Sequence, residues 1–467
     1  MHFGRALNQL SVIHEIMKKT RILLIFVLLS AVSLSSWGRT PKYVFYFIGD
    51  GMGINQAAAT EMYMHSAGLG DLNFRHFPYT GFVTTTPANS RVTDSAAAGS
   101  ALSTGHKTYN SAIGVNADTV EVETLCERVI RSGYAAGVAS SDAVDLATPA
   151  AFYAHAGNRN DFENIAGDLV ASKLSFAAGA SIKSNKKGND AWVAEAERKG
   201  FTVFGGDHRY SPCSGPVICL SDDMSQSNLS YAIDRKEGQT SLEEFTSAAI
   251  DHLYRNSRKG FFLMVEGAMI DHACHSRDAG AMVSEIMDFS RSVDCALRFY
   301  EQHPDETLIV VTSDHETGYV MITYGETSLV GNQKCSMNEL TDIFLEMSAD
   351  GNIPGWPEVK QVLSDKLGLW SKVPVTKDEE KVFTQLYKES FLDLTSDMQK
   401  DLYNSNKKLA FEAVNLLGRK AGINLFGSSH SGSPVGLYVK GACADEFIVC
   451  KDNTDISKVI ARVARYK

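Results

Sequence analysis

The sequence predicts an α/β fold, a three-layer sandwich in which a mostly parallel central sheet carries helices on both faces. Apolar, β-rich runs recur along the chain, and most of them are nearly continuous rather than alternating. Continuous runs are typical of strands that are covered on both faces. Helical patterns separate many of the runs, and this alternation indicates parallel strands joined by helices.

The predicted strands, in chain order, are Tyr43–Ile48, Gly81–Thr86, Tyr134–Ser140, Phe201–Phe204, Phe261–Glu266, Thr307–Ser313 and Val435–Lys440. Most of these runs are rich in the β-branched and aromatic residues that strands favour. The helical period of apolar residues predicts helices that include Val122–Ser132, Leu242–Asn256 and Ala281–Gln302. In such sheets, ligands bind beyond the carboxyl ends of the strands.

The region from about residue 325 to 425 has a different character. It contains the turn-rich segment Gly351–Pro357, followed by charged amphipathic patterns over Lys377–Leu392 and Asp397–Gly418. These patterns predict a helical insertion within a single domain that spans residues 39–467. A surface elaboration for stability or dimerisation is the favoured interpretation of this insertion, ahead of a substrate lid.

The N-terminus has the pattern of an export signal. Positive charge at Met17–Arg21 precedes an apolar run over Ile22–Leu34 and small residues up to Gly38. The apolar run is shorter than the ~20 residues that a membrane-spanning helix needs. We therefore predict a signal peptide over residues 1–38, with translation starting at Met17, and a secreted or periplasmic protein without a permanent membrane anchor.

The composition limits the classes of partner. A chain of 467 residues with 44% hydrophobic and 21% charged residues can bury a large core and is not generally disordered. Its formal net charge of -10 disfavours nucleic acid as a partner. An anionic substrate would therefore need a local cationic feature, such as a bound metal or an arginine.

Acid and histidine residues follow several of the predicted strands. Asp50, Glu266 and Asp314 stand at strand ends, so their side chains are expected to converge at one edge of the sheet. Asp271 and His275 are four residues apart, which places them on one face of a helix. Taken alone, such a pair is more often structural than metal-binding.

Taken together, the acids and histidines indicate metal binding more strongly than any pair does alone. Carboxylate and imidazole ligands suit Zn²⁺, and the set supplies three protein ligands for each of two zinc ions. Its members are Asp50, Asp271, His275, Asp314, His315 and His430.

Ser95 is a candidate nucleophile. The segment Thr93–Gly99 leads into a helical pattern, and a helix N-terminus stabilises a phosphate group through its free N–H groups. The structural alternative is that Asp94 or Ser95 only caps the helix. Metal ligands together with an activated serine indicate hydrolysis of an ester.

Six segments, in the same order as in the family, resemble the motifs of alkaline phosphatases. They extend from about residue 42 to 441 and comprise Tyr46–Gly53, Thr93–Ala97, Ser103–Thr108, Val265–His272, Thr312–Gly318 and Ser429–Gly432. The resemblance implies an enzyme that releases inorganic phosphate from small phosphate monoesters. It also implies two Zn²⁺ ions and one Mg²⁺ ion as cofactors.

The resemblance assigns the individual roles. Ser95 would form a covalent phosphoserine, and Arg159 would clamp the phosphate, although a surface ion pair is the alternative for that arginine. The zinc ligands would be Asp50, Asp314 and His315 for the ion beside the serine, and Asp271, His275 and His430 for the ion beside the leaving oxygen. The magnesium ligands would be Asp50, Thr148 and Glu266.

Two positions bear on the implied magnesium and phosphate sites, and several cysteines have spacings that allow disulfides. At Leu146, relatives carry Asp or His, so a contact near the magnesium site is missing. At His272, relatives carry Lys or His, and a histidine would contact phosphate through water or when protonated. Cys274 is interpreted as a buried thiol or a disulfide partner of Cys295, and the spacings of Cys213 with Cys219 and of Cys443 with Cys450 also allow disulfides.

The sequence disfavours three other functions. A phosphodiesterase of the same superfamily is disfavoured by Arg159, and a sulfatase by the absence of a Cys/Ser-x-Pro-x-Arg sequence at the nucleophile. A catalytically silent phosphate- or metal-binding protein would lack the nucleophile or one of the metal ligands, and this sequence has the complete set. Assembly as a homodimer is left open.

Overall fold

Nine strands form one central sheet in the computed structural model, which describes residues 40–184, 189–392 and 402–467. Thirteen strands are present in these ranges: β1 Tyr43–Gly49, β2 Tyr79–Val83, β3 Ala135–Ser140, β4 Phe176–Gly179, β5 Thr202–Phe204, β6 Val217–Leu220, β7 Phe261–Gly267, β8 Thr307–Thr312, β9 Glu316–Thr317, β10 Val320–Ile322, β11 Ile423–Leu425, β12 His430–Ser431 and β13 Val435–Gly441. The order in the sheet is β2-β13-β8-β1-β7-β3-β4-β6-β5. Strand β13 runs antiparallel to its two neighbours, and the other pairs are parallel.

Helices cover both faces of this sheet, which confirms the predicted α/β fold. They are α1 Ile54–Ser66, α2 Ser95–Thr104, α3 Leu125–Arg131, α4 Ala147–Ala150, α5 Phe162–Ala171, α6 Asn189–Arg198, α7 Leu242–Asn256, α8 Met269–His275, α9 Ala279–Gln302, α10 Met337–Met347, α11 Trp356–Leu367, α12 Lys377–Phe391, α13 Leu402–Ala421 and α14 Asn453–Val463.

Strand β1 shows why the central runs are apolar without interruption. Val44, Tyr46 and Ile48 enter the hydrophobic core on one face of the sheet, whereas Phe45 and Phe47 enter the core on the other face. Successive side chains of a strand point to opposite faces, so a strand covered on both faces must be apolar at every position. All five of these side chains are fully buried.

The register of the central strands brings their carboxyl ends to one level. Ile48 of β1 lies beside Glu266 of β7 on one side and beside Thr312 of β8 on the other. Ser140 at the end of β3 lies beside Glu266 as well. The segments that leave these four strands therefore emerge side by side.

Helices also occupy the region predicted to be an insertion. Helices α10 to α13 surround a separate hydrophobic core, whose fully buried members include Leu340, Phe344, Leu363, Phe383 and Leu409. The charged pattern at Lys377–Leu392 forms α12, and the later one forms α13 from Leu402 onward. The division of the chain into one domain with an insertion stays a prediction.

The eight cysteines all lie in described ranges, and none of them is in a disulfide. The disulfides that the spacings allowed are therefore not formed, and Cys274 is a buried thiol. The predicted signal peptide lies outside the described residues. Within the described ranges, no helix combines the length and apolar character that crossing a membrane requires.

Candidate active site

Ser95 is the first residue of α2, and Asp94 is its cap. The Ala97 backbone N–H donates to Asp94 Oδ1 over 3.0 Å, which satisfies a free donor of the first turn. The capping role therefore belongs to Asp94, and the Ser95 side chain is not used for it. Ser95 is 6% exposed, and its Oγ lies 3.2 Å from His315 Nε2.

A tight turn after β1 brings Asp50 close to Asp314. The Gly51 N–H donates to Asp314 Oδ1 over 3.1 Å, and the His315 N–H donates to the same oxygen over 2.8 Å. Gly51 has a φ of +69°, and a Cβ at this position would come within 2.8 Å of Asp271 Oδ1. Only glycine fits this backbone, which holds Asp50 and Asp314 close together.

Asp50, Asp314 and His315 form the first cluster of possible metal ligands. His315 Nε2 lies 3.4 Å from Asp50 Oδ1 and 3.1 Å from Asp314 Oδ2, and one ligand atom of each residue lies within 4.8 Å of the others. Asp50 Oδ1 and Asp314 Oδ2 are buried without a hydrogen-bond partner. Buried carboxylate oxygens without partners are costly unless a cation neutralises them, so this donor set fits Zn²⁺.

The pKa shifts of these three residues also support a cation site. Burial, reinforced by the negative charge of Asp314, raises the pKa of Asp50 well above its ordinary value. Burial, followed by the charge of Asp271, raises the pKa of Asp314 to about 8. Burial, followed by the neighbouring His430, lowers the pKa of His315 well below its ordinary value. Without a cation, the acids are held toward their protonated forms, while His315 stays neutral and keeps a lone pair to donate.

Asp271, His275 and His430 form the second cluster. His275 Nε2 lies 3.0 Å from Asp271 Oδ2 and 3.2 Å from His430 Nε2. Each ring directs Nδ1 at a backbone carbonyl, that of Ser428 for His275 at 2.8 Å and that of Thr93 for His430 at 3.0 Å. When Nδ1 carries the proton, both Nε2 atoms offer lone pairs to the same space, as metal-ligating histidines do.

The two clusters are in direct contact. The His315 and His430 rings stack with centroids 3.6 Å apart, and Asp271, His315 and His430 also have ligand atoms within 4.8 Å of one another. The Thr317 hydroxyl joins the clusters, because it donates to Asp271 Oδ1 over 2.5 Å and lies 3.2 Å from His315 Nδ1. The sequence pattern alone does not indicate this role for Thr317, although the residue lies in the family-like segment Thr312–Gly318.

Glu266 lies near both Asp50 and Thr148. The Ser140 hydroxyl donates to Glu266 Oε2, whereas the buried Thr148 Oγ1 has no partner. Burial, followed by the charge of Asp142, raises the pKa of Glu266 to about 7. Carboxylate and hydroxyl oxygens are the hard donors that Mg²⁺ prefers.

Arg159 lies beside Asp94, the cap of helix α2, which begins at Ser95 and is called the serine helix below. Its Nη1 donates to Asp94 Oδ2 over 3.4 Å, and the same oxygen accepts from the Ser111 N–H over 2.9 Å. The Arg159 side chain is 31% exposed, so part of the guanidinium can reach a bound anion. The ion pair that the sequence allowed is present, and its partner belongs to the serine helix.

His272 contacts an acid that the sequence analysis missed. His272 Nε2 lies 3.1 Å from Asp142 Oδ2. Burial lowers the pKa of His272, but the charge and hydrogen bond of Asp142, together with the charges of Asp271 and Glu266, outweigh burial and raise that pKa to about 9. Asp142 gave no signal in the sequence, because it stands in a polar segment without a recognisable spacing. Leu146 precedes α4 at the N-cap position and makes no side-chain capping hydrogen bond.

Comparisons with known proteins identify the family of this chain. The sequence profile of the family described as alkaline phosphatase matches residues 41–187 and 216–466. Alkaline phosphatase 4 of Bacillus subtilis is 27% identical over 441 residues, which are 91% of this chain and 89% of that protein.

Two solved structures extend the likeness to the fold. A cold-active alkaline phosphatase from Shewanella sp. has a TM-score of 0.76 and 27% identity, covering 90% of this chain and 99% of that one. A mutant alkaline phosphatase of the Antarctic bacterium TAB5, solved with bound Mg²⁺, has a TM-score of 0.64 and 26% identity, covering 92% and 99%. The chain belongs to the alkaline phosphatase family of enzymes, which hydrolyse phosphate monoesters.

Proposed function

We propose that this chain hydrolyses small phosphate monoesters through a covalent phosphoserine on Ser95, and that it holds two Zn²⁺ ions and one Mg²⁺ ion. The observation that carries the proposal is the position of Ser95 Oγ, 3.2 Å from His315 at the border of two clusters of possible metal ligands. A serine hydroxyl is a weak nucleophile unless its surroundings favour the ionised form.

The unpartnered oxygens support the metal assignments. Zn²⁺ ions fit the sets Asp50, Asp314, His315 and Asp271, His275, His430, and Mg²⁺ fits Asp50, Thr148, Glu266. When bound, the cations would supply positive charge that favours the ionised serine and neutralises the oxygen of the departing alcohol. The Mg²⁺ in the TAB5 relative supports the third ion.

The residues of the chain would carry out two displacements. Ser95 Oγ gives up its proton and attacks phosphorus, and the Oγ–P bond forms as the bond from phosphorus to the alcohol oxygen breaks. The alcohol leaves with the electron pair and takes up a proton. A water oxygen then attacks phosphorus, the Oγ–P bond breaks, and Ser95 regains its proton as inorganic phosphate leaves.

The serine helix and Arg159 would bind the phosphate oxygens. The N–H groups at the start of α2 are aligned with the helix dipole, which favours an anion at this end. Asp94 connects Arg159 to that same end. A guanidinium can bind two phosphate oxygens at once, which suits the terminal phosphate of a monoester.

Replacement of the nucleophile tests the proposal. Ser95→Ala should reduce hydrolysis of an aryl phosphate by about 10³-fold or more while zinc content is unchanged. Ser103→Ala, a buried serine on the same helix, is the matched control and should keep its activity. Acid quenching with labelled phosphate should trap phosphoserine in the wild type alone. Undiminished turnover in a zinc-loaded Ser95→Ala protein would overturn the covalent mechanism.

We also propose that the protein is exported to the periplasm or secreted, on the strength of the pattern at residues 17–38. N-terminal sequencing of the mature protein tests this, since processing near Gly38 is expected. Assembly as a homodimer stays a prediction that light scattering can test.

A further inference from the structure

Asp142 is a buried acid beside the proposed magnesium ligands. It follows β3, whose last residue, Ser140, lies in register with Glu266. The Asp142 N–H donates to Ser140 Oγ over 2.9 Å, and that hydroxyl donates in turn to Glu266 Oε2. One hydroxyl therefore connects the backbone of Asp142 to the carboxylate of Glu266.

The two carboxylate oxygens of Asp142 differ in their surroundings. Oδ2 lies 3.1 Å from His272 Nε2, whereas Oδ1 is buried without a partner. Asp142 as a residue is only 8% exposed. A buried acceptor without a partner costs about 1–3 kcal/mol, and a charged one costs more. A fold that keeps this arrangement needs a donor or a cation near Oδ1.

The neighbouring atoms point to a cation. Thr148 Oγ1 and Asp50 Oδ1 are also buried without partners. Because the Ser140 hydroxyl contacts both the Asp142 backbone and the Glu266 carboxylate, the two acids lie close to each other in a buried setting. Repulsion between two buried acids is relieved when a divalent cation binds between or beside them.

We propose that Asp142 is a positioning residue of the magnesium site, and that it also orients His272. Mg²⁺ gives up its waters reluctantly and usually keeps several of them. In this assignment, Oδ1 accepts hydrogen bonds from the hydration shell of the cation, and Oδ2 holds the His272 ring. Leu146, at the start of α4, has no polar atom in its side chain and cannot serve instead. The inference rests on the third metal ion of the proposed function.

The test compares Mg²⁺ affinity among variants with both zinc sites loaded. Wild type, Asp142→Asn and Asp142→Ala would be dialysed against graded Mg²⁺, and bound magnesium and zinc would be measured by elemental analysis. The Asp142 variants should bind Mg²⁺ about 10- to 100-fold more weakly, the usual effect of losing such a supporting contact, while zinc content is unchanged.

Asp145→Asn is the matched control. Asp145 is buried in the same segment, but its two oxygens accept from the Lys183 and Ser184 N–H groups at 2.7 Å and 2.8 Å. This variant should lose stability and keep the wild-type Mg²⁺ affinity, which separates a structural effect from a metal effect.

The possible failures are distinguishable. Equal Mg²⁺ affinity in wild type and both Asp142 variants would overturn the role of Asp142 and leave the proposed function standing. A zinc-loaded wild type that binds no Mg²⁺ at millimolar concentration would overturn the magnesium site and this role together, while the serine mechanism would still be judged by Ser95→Ala.

Discussion

The three histidine rings of the site are each oriented by a contact at Nδ1, which leaves Nε2 facing the proposed metal positions. Thr317 contacts His315 at Nδ1, and His315 Nε2 faces the Ser95 hydroxyl. The carbonyls of Ser428 and Thr93 orient the other two rings in the same manner. Because each ring nitrogen has a different neighbour, the geometry selects the nitrogen that can bind a cation.

Arg159→Ala should weaken phosphate binding. Each hydrogen bond to a charged group contributes ~1.5–3 kcal/mol, so kcat/KM for an aryl phosphate should fall about 10- to 100-fold. The inhibition constant of inorganic phosphate should rise in parallel, because the same guanidinium would bind substrate and product. The control is Arg128→Ala, which removes an ion pair with Glu123 away from the clusters. An unchanged phosphate inhibition constant would exclude Arg159 from the phosphate site.

At the scale of elements, strand register and helix capping place the site. Strands β1, β3, β7 and β8 end at one level, and α2 begins with its N-terminus beside the loops that follow them. Asp94 holds α2 there, since it caps the helix, accepts from Ser111 and pairs with Arg159. One side chain thus connects the serine, the arginine and the neighbouring loop.

Two substitutions of Asp94 separate these functions. Asp94→Ala removes the cap and should lower the free energy of unfolding by about 1 kcal/mol or more. Asp94→Asn keeps an oxygen for the cap but turns an NH2 group toward the Ser111 N–H, so it should lose less stability than Asp94→Ala. Both variants lose the charge beside Arg159, so both should show an altered KM. Urea unfolding curves and initial rates measure the two effects. Equal stability of Asp94→Ala and the wild type would contradict the capping role.

At the scale of the whole molecule, metal binding and folding are linked through buried acids. The pKa values of Asp50, Glu266 and Asp314 are all raised in the fold, to about 7 for Glu266 and about 8 for Asp314. An acid whose pKa is raised in the folded state contributes its full stability below the unfolded pKa. That contribution is lost as the pH rises through the folded pKa.

Chelated protein should therefore become less stable between about pH 6 and about pH 9, because Glu266 and Asp314 must then ionise while buried. Protein loaded with zinc and magnesium should lose less, since cations replace the protons at these oxygens. Thermal unfolding at both pH values, with and without a chelator, measures the difference. Chelated protein that is more stable at the higher pH would contradict these shifts.

Much of the fold and the predicted site could be read from local pattern. The uninterrupted apolar run of β1 indicated a strand covered on both faces, and Asp50 at its end was expected near Asp314 and Glu266. The strands β4 and β6 were not predicted. Asp142 was missed because its partner His272 is 130 residues away.

The sequence by itself determined the strand and helix periods, the inventory of acids and histidines, and the membership of the family. Only the tertiary structure decided that Asp94 caps the serine helix, that Thr317 joins two clusters, and that Asp142 stands beside Glu266. The physical reason is that periodicity reports which face of an element is buried. The contacts of one carboxylate oxygen depend on side chains brought together from distant parts of the chain.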